Sequence, residues 1–236
     1  MLNSKGDKYV FKNRIVKTSV IAFLVLSIAV ACNKGPSPEE ELFTILEKVV
    51  VLEEPFQEQQ APLVELEQKE TKIYDQIISL GMKEFDQIVS LSEEALSILE
   101  ERESRIEKEY ESIQASKKQF GLVKNSIDNI GDLELKEEAN RLFNIMNNRY
   151  SAYEELYNSY TESLELDRQL YEMFQNENLT IDELEEQIKK SNESYDEIIQ
   201  ANDQFNTYTE QYNEAKVAFY KNADLDVVFE EEAEGK

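Results

Sequence analysis

The sequence predicts an all-α protein, an elongated antiparallel up-and-down four-helix bundle with a kinked first helix. Apolar residues recur at three- and four-residue spacing through most of the chain, and clear period-two runs are missing. The 236 residues hold only 6 glycines and 4 prolines and are rich in Glu, Leu, Gln, Ile and Lys, a helical composition. Breaks such as Gly131–Asp132 are too short for crossover connections, so consecutive helices should run antiparallel. Helices of about 40 residues would each span roughly 60 Å. A three-helix, spectrin-like rod with a loosely packed N-terminal helix is the alternative. No repeat at a period of about 20 to 50 residues points to a solenoid.

The first helix should open at Ser37 as N-cap, with Pro38 at N1 and Glu40 closing a capping box. Leu42, Ile45, Leu46, Val49 and Leu52 fall on one face. Pro55 and Pro62 cannot donate to the helical ladder and predict breaks or kinks. The face resumes through Leu63, Leu66, Ile73 and Ile77 and ends at Gly81. Ser92 reads as the N-cap of a second helix, with Leu91 and Leu96 as a hydrophobic staple. That helix continues to Gly131, with Gly121 as a soft spot costing about 1 kcal/mol relative to Ala.

A third helix runs from Asp132 to about Phe174. The pattern LTIDEL then starts a fourth, with Thr180 as cap, Glu183 reaching back from N3 and Leu179 stapling to Leu184. Ser191, Asn202 and Thr209 interrupt its apolar face and are expected at the edge, since polar residues are mostly exposed. The domain organisation is therefore a segment 1–31, a tether 32–37, a helical bundle 38–222 and an acidic tail 223–236.

Residues 1–31 read as a lipoprotein signal peptide. Lys12, Arg14 and Lys17 precede the run SVIAFLVLSIAVA, which ends at Cys32, the single cysteine of the chain. Small residues at 29 and 31 allow cleavage before Cys32. Its thiol would then carry lipid, and two or three acyl chains hold a protein stably on a membrane. The competing reading is an uncleaved membrane anchor. The 14 residues from Thr18 to Ala31 fall short of the roughly 20 that a spanning helix needs.

Residues 1–31 carry a net +4 from Lys5, Lys8, Lys12, Arg14 and Lys17 against Asp7, so their removal takes the formal charge from −25 to −29. Such a domain repels nucleic acid, whose binding relies on Lys and Arg neutralising phosphates. It equally repels anionic lipid headgroups and wall polymers. Histidine is absent, which excludes Cys–His and Ser–His–Asp nucleophiles and ordinary zinc sites. No calcium-loop pattern occurs, and no cofactor is expected.

The third helix carries the most distinctive face. Tyr150, Tyr153, Tyr157 and Tyr160 share one side of it, and Tyr195, Tyr208 and Tyr212 could complete an aromatic region. Exposed, they would form a platform for sugar rings or a partner's aromatic residues. Buried, they are bundle core. Because Tyr153 and Tyr160 continue the face of Leu142, Met146, Leu156 and Leu164, they are expected inside. Tyr150 and Tyr157 lie nearer its edge and are the candidate ligand surface. The Glu-rich runs, including EERESR at 100–105, read as solvated faces. No two carboxylates are marked as an acid–base pair, so no catalytic residue is assigned.

Two stretches carry a family resemblance: SPEEELFTILEKVVVLEEPFQEQQAPLVELEQKETKIYDQIISLGMKEFDQI and LTIDELEEQIKKSNESYDEIIQANDQFNTYTEQYNE. Over residues 37–222, including the E-P-F and S-L-G-M breaks, the chain resembles the YkyA-type family of cell-wall-binding lipoproteins of Gram-positive bacteria. It departs from them at Ala29 in the lipobox and in the acidic tail beyond Asn222. The resemblance implies a helical bundle outside the cytoplasmic membrane, facing the wall, and brings no catalytic motif.

The expected function is that of a membrane-tethered, non-enzymatic extracytoplasmic protein binding peptidoglycan, another wall component or an envelope protein. One alternative is an enzyme acting on wall glycan through paired carboxylates, which an exposed pair in a cleft would favour. Another is a mechanical spacer between membrane and wall.

Overall fold

The computed structural model describes residues 35–80, 84–225 and 227. Every element among them is a helix: α1 (Pro38–Leu52), α2 (Glu54–Ser79), α3 (Phe85–Phe120), α4 (Val123–Asn129), α5 (Leu133–Met173) and α6 (Ile181–Asn222). The all-α prediction holds. The predicted signal peptide, Cys32, the Gly81 break and most of the 223–236 tail lie outside the described residues.

α1 begins as its sequence dictates. Ser37 Oγ accepts the Glu40 N–H at 3.2 Å, and Glu40 Oε2 accepts the Ser37 N–H at 2.8 Å. The expected break near Pro55 falls two residues earlier, at Glu53, whose N–H bonds back to the Val49 and Val50 carbonyls. Pro55 then occupies the first turn of α2, where a missing N–H leaves no ladder bond unmade. Pro62 does not break the chain as expected. Helix α2 runs through it, and buried Leu63 and Leu66 follow directly, so burial of the apolar face outweighs the lost hydrogen bond.

Two further boundaries differ from expectation. Ser92 is not a cap. It lies inside α3, which starts at Phe85, and its buried hydroxyl donates to the Ile88 carbonyl at 2.8 Å. A serine can bond back to the i−4 carbonyl as readily as it caps. Gly121 is more than a soft spot. α3 stops at Phe120, a turn occupies Gly121 and Leu122, and the short α4 follows.

Later starts follow the sequence more closely. Asp132 Oδ1 accepts the Leu135 N–H at 2.9 Å ahead of α5. At α6, Thr180 Oγ1 accepts the Glu183 N–H at 3.3 Å, while Glu183 Oε2 accepts from the Thr180 N–H and hydroxyl at 3.1 and 2.7 Å. Those two bonds lower the Glu183 pKa. Thr180→Ala should therefore cost about 1 kcal/mol, read as a shifted denaturation midpoint of the full-length protein. An unshifted midpoint would mean that α6 does not depend on this cap.

The helices group into two compact units. The first takes Pro55–Glu111 and Tyr153–Asp203, so α2 and parts of α3, α5 and α6 surround its core. Arg102 on α3 meets Glu70 on α2 and Tyr160 on α5, whereas Glu109 meets Gln60 and Tyr153. Partner numbers fall as α3 numbers rise, so both neighbours run antiparallel to α3. Leu63, Ile73, Leu99, Ile106 and Leu164 fill the interior.

The second unit takes the described residues up to Glu54, Ser112–Ala152 and those from Gln204 onward. Helix α4 packs on α1, burying Leu42, Leu46, Val123 and Ile127. Arg149 and Glu138 on α5 meet Thr209 and Asn222 on α6, again antiparallel. Phe120 anchors the aromatic packing, with ring centroids 5.6 Å from Phe143 and 5.8 Å from Tyr150.

Candidate functional site

The tyrosine face divides between burial and exposure at positions the sequence places only in part. Tyr153 and Tyr160 are core, as expected, at 0 and 1% exposure. Tyr150, expected at the edge, is buried as well, and this corrects its assignment to a ligand surface. Phe120 packs edge-on against its ring, and its hydroxyl lies 2.6 Å from the Ser116 hydroxyl. Burial, followed by the charge of Glu53, raises the Tyr150 pKa. Tyr195 belongs to the first unit, and Tyr208 and Tyr212 belong to the second.

Tyr157 is different. It is half-buried, and its ring stacks on that of Tyr110 from α3, centroids 4.1 Å apart and planes 26° from parallel. Tyr110 is half-buried too. Desolvation, then the charges of Glu107, Tyr110 and Glu103, raise the Tyr157 pKa, so the phenol stays neutral at physiological pH and available as a donor. The result is a paired aromatic surface of the first unit, rimmed by carboxylates. Sequence periodicity singled out Tyr157 but not its partner, because pairing across helices depends on register between α3 and α5.

Each unit also encloses a buried arginine that the sequence reading missed. In the second, Arg149 binds Glu53 through two parallel bonds of 2.9 and 2.7 Å. Its Nε donates to Thr209 Oγ1 at 2.9 Å, and its guanidinium lies 4.7 Å from the Phe205 ring centroid. Glu53 also accepts the Ser116 hydroxyl at 2.5 Å. Thr209 is thus buried rather than at the edge, and so are Ser191 and Asn202. Of the three, Thr209 is partnered in the core by Arg149 and by the Phe205 carbonyl.

In the first unit Arg102 bonds Glu70, and its Nε donates to the Tyr160 hydroxyl at 3.0 Å. Glu67 and Asp167 carboxylates stand 3.8 and 4.0 Å from its terminal nitrogens. Burial raises the Glu70 pKa against the pull of Arg102, and burial with the nearby Glu70 charge pushes Asp167 up to about 8. Glu70 and Asp167 are 0 and 1% exposed. Both carboxyls are shifted upward, yet at this burial a polymeric substrate cannot touch them. Among the described residues no group of three or more Asp, Glu, Cys or His could hold a metal ion. No helix among them is long and apolar enough to cross a membrane. Cys32 lies outside the described residues.

A relative from Bacillus subtilis (strain 168), named as the uncharacterized lipoprotein YkyA, is 37% identical over 199 residues, spanning 84% of this chain and 89% of its own. A solved structure, the 1.6 Å crystal structure of a conserved protein of unknown function from Staphylococcus aureus, matches with a TM-score of 0.57. It covers 79% of this chain and 97% of the other at 15% identity, a likeness of fold alone. Residues 37–222 match the family YkyA, described as "Putative cell-wall binding lipoprotein". That match extends from the Ser37 cap to the last residue of α6, and with it the chain belongs to the YkyA family of lipoproteins.

Proposed function

We propose that the chain is an extracytoplasmic lipoprotein, held at the membrane by lipid on Cys32, whose helical domain binds peptidoglycan without catalysing its turnover. The observation that carries this reading is the half-buried Tyr110–Tyr157 stack. The stacked rings turn one face toward each other and offer their remaining apolar surface to the C–H face of a sugar. The phenol hydroxyls and the Glu107 carboxylate offer partners to amide and ammonium groups of wall peptides, while Glu103 is held by Arg168 at 3.0 Å. An acidic rim disfavours anionic wall polymers by like-charge repulsion. Family membership supports an envelope role. Against wall-glycan hydrolysis stands the burial of the upward-shifted carboxyls around Arg102, since an acid or base must come within hydrogen-bond reach of its substrate.

The test is co-sedimentation of the full-length protein with isolated peptidoglycan. Tyr110→Ala/Tyr157→Ala should lose most of the binding while stability falls by no more than about 1–2 kcal/mol, the aromatic-pair energy with some lost burial. A folded double variant that binds as well as wild type would refute the platform. In cells, Cys32→Ala should move the protein out of the membrane fraction, because a stable anchor needs two or more chains. Full membrane retention of that variant would refute the tether.

A further inference from the structure

The Arg102 cluster holds more acid than base. Four helical segments close around it, and each contributes polar or charged groups. Glu67 and Glu70 come from α2 and Arg102 from α3. Asp167 comes from α5, as do Tyr160, which donates to Glu67 at 2.9 Å, and Tyr171, which faces the Glu70 and Asp167 charges. From α6, Tyr195 donates to Asp167 Oδ2 at 2.6 Å, and Ser191 lies against the same carboxyl. Arg102 is the one cation in this set, and it engages Glu70 most closely.

Glu70 Oε1 is buried with no short hydrogen-bond partner, while the Tyr171 and Ser191 hydroxyls approach the Glu70 and Asp167 carboxyls. An ionised Asp167 beside an ionised Glu70 would leave one buried negative charge uncompensated, which is more costly than neutralising it. Water has no access to dilute that charge at 0 to 2% exposure.

We propose that the Glu70–Asp167 pair around Arg102 is a proton-binding site, one carboxyl ionised against Arg102 and the other neutral, so that the first unit holds together more tightly in mildly acidic than in alkaline surroundings. The proton comes from bulk water and returns to it, and nothing else changes hands. The sign follows from linkage. The Asp167 pKa is pushed up to about 8 in the folded chain, against about 3.9 for an unfolded aspartate. The folded state therefore binds the extra proton between those limits. Its stabilising effect is complete below about pH 4 and is lost as pH rises through about 8. Within the window, each pH unit lowers the folding equilibrium constant by up to about tenfold.

The composition isolates this effect. With no histidine and one cysteine in the chain, ordinary side chains hardly titrate between pH 5 and 8. Repulsion within the acidic surface has the same sign, but high salt screens it and leaves a buried site unaffected.

The experiment is infrared titration of the full-length protein in high salt, paired with denaturant unfolding at each pH. Wild type should show the carbonyl stretch of a neutral carboxylic acid at pH 6 that fades with a midpoint near 8, and its stability should decline across the same range. In Glu70→Gln/Asp167→Asn the band should vanish and the decline between pH 5 and 8 should flatten. A wild-type protein with no neutral-acid band at pH 6 would overturn the proposal, and this reading holds even if the variants fail to fold. A folded double variant that keeps the band would overturn it as well.

Discussion

Arg149→Ala should destabilise the protein by about 3–5 kcal/mol, the range for breaking a buried ion pair by removing one partner. Glu53 is 3% exposed, and losing both guanidinium bonds would leave its carboxylate buried with the Ser116 hydroxyl as its remaining short contact. Thr209 would lose its donor, and Phe205 the cation over its ring. Glu53 is also the C-cap of α1, its N–H bonded back to the carbonyls of that helix. The informative comparison is Glu53→Leu/Arg149→Met. Removing both charges with volume retained should recover most of the loss, since well-packed apolar replacements of buried ion pairs are often neutral or stabilising. Equilibrium unfolding of Glu53→Leu, Arg149→Met and the double variant closes the cycle. A single variant within about half a kilocalorie of wild type, the range of ordinary surface changes, would mean that water already reaches this pair.

Helix existence was legible because it depends on periodic burial, which is written locally. The start of α6 shows this well: Thr180 and Glu183 are three residues apart in sequence and bond as that spacing dictates. Capping is a local geometry. Ser92 was misread as a cap, and Pro62 leaves α2 unbroken, for the opposite reason: a proline can be carried by packing and a serine can bond backwards along its own helix. Neither choice is decided within one turn.

The buried charges are the larger omission. Arg102 sits in a stretch of Glu and Arg that reads as a solvated face, and in sequence an inward arginine has the same neighbours as an outward one. A usable signal was its register. Arg102 and Glu109 alternate with Leu99, Ile106 and Ile113 at three- and four-residue steps, as Arg149 does with Met146 and Tyr153. A charge on the apolar register must find a partner across the core, but which helix supplies it depends on pairing that one sequence does not encode. The same holds for Tyr110, whose role became visible only through its stack on Tyr157.

Tyr153→Ala should cost about 3–5 kcal/mol, the range for truncating a large buried aromatic side chain. The residue is fully buried, and Phe56 from α2 meets its ring edge-to-face at 5.7 Å and 82°. Its hydroxyl donates to Glu109 Oε2 at 3.4 Å, and Gln60 donates to the other oxygen of that buried carboxylate. Removal therefore opens a cavity between α2 and α5 and takes a donor from a buried acid. Tyr153→Phe separates the two effects. It keeps the ring and should cost only about 0.5–1.5 kcal/mol, the net worth of one hydrogen bond. Denaturant midpoints at a common slope give both values. Placed beside Tyr157→Ala, one turn away on the same helix, the pair of results reads the face directly. A large loss at 153 with a small one at 157 fits one tyrosine in the core and the other at the surface. Equal and small losses would mean that Tyr153 is not packed against Phe56, and the stripe would then have to be placed on the outside of α5.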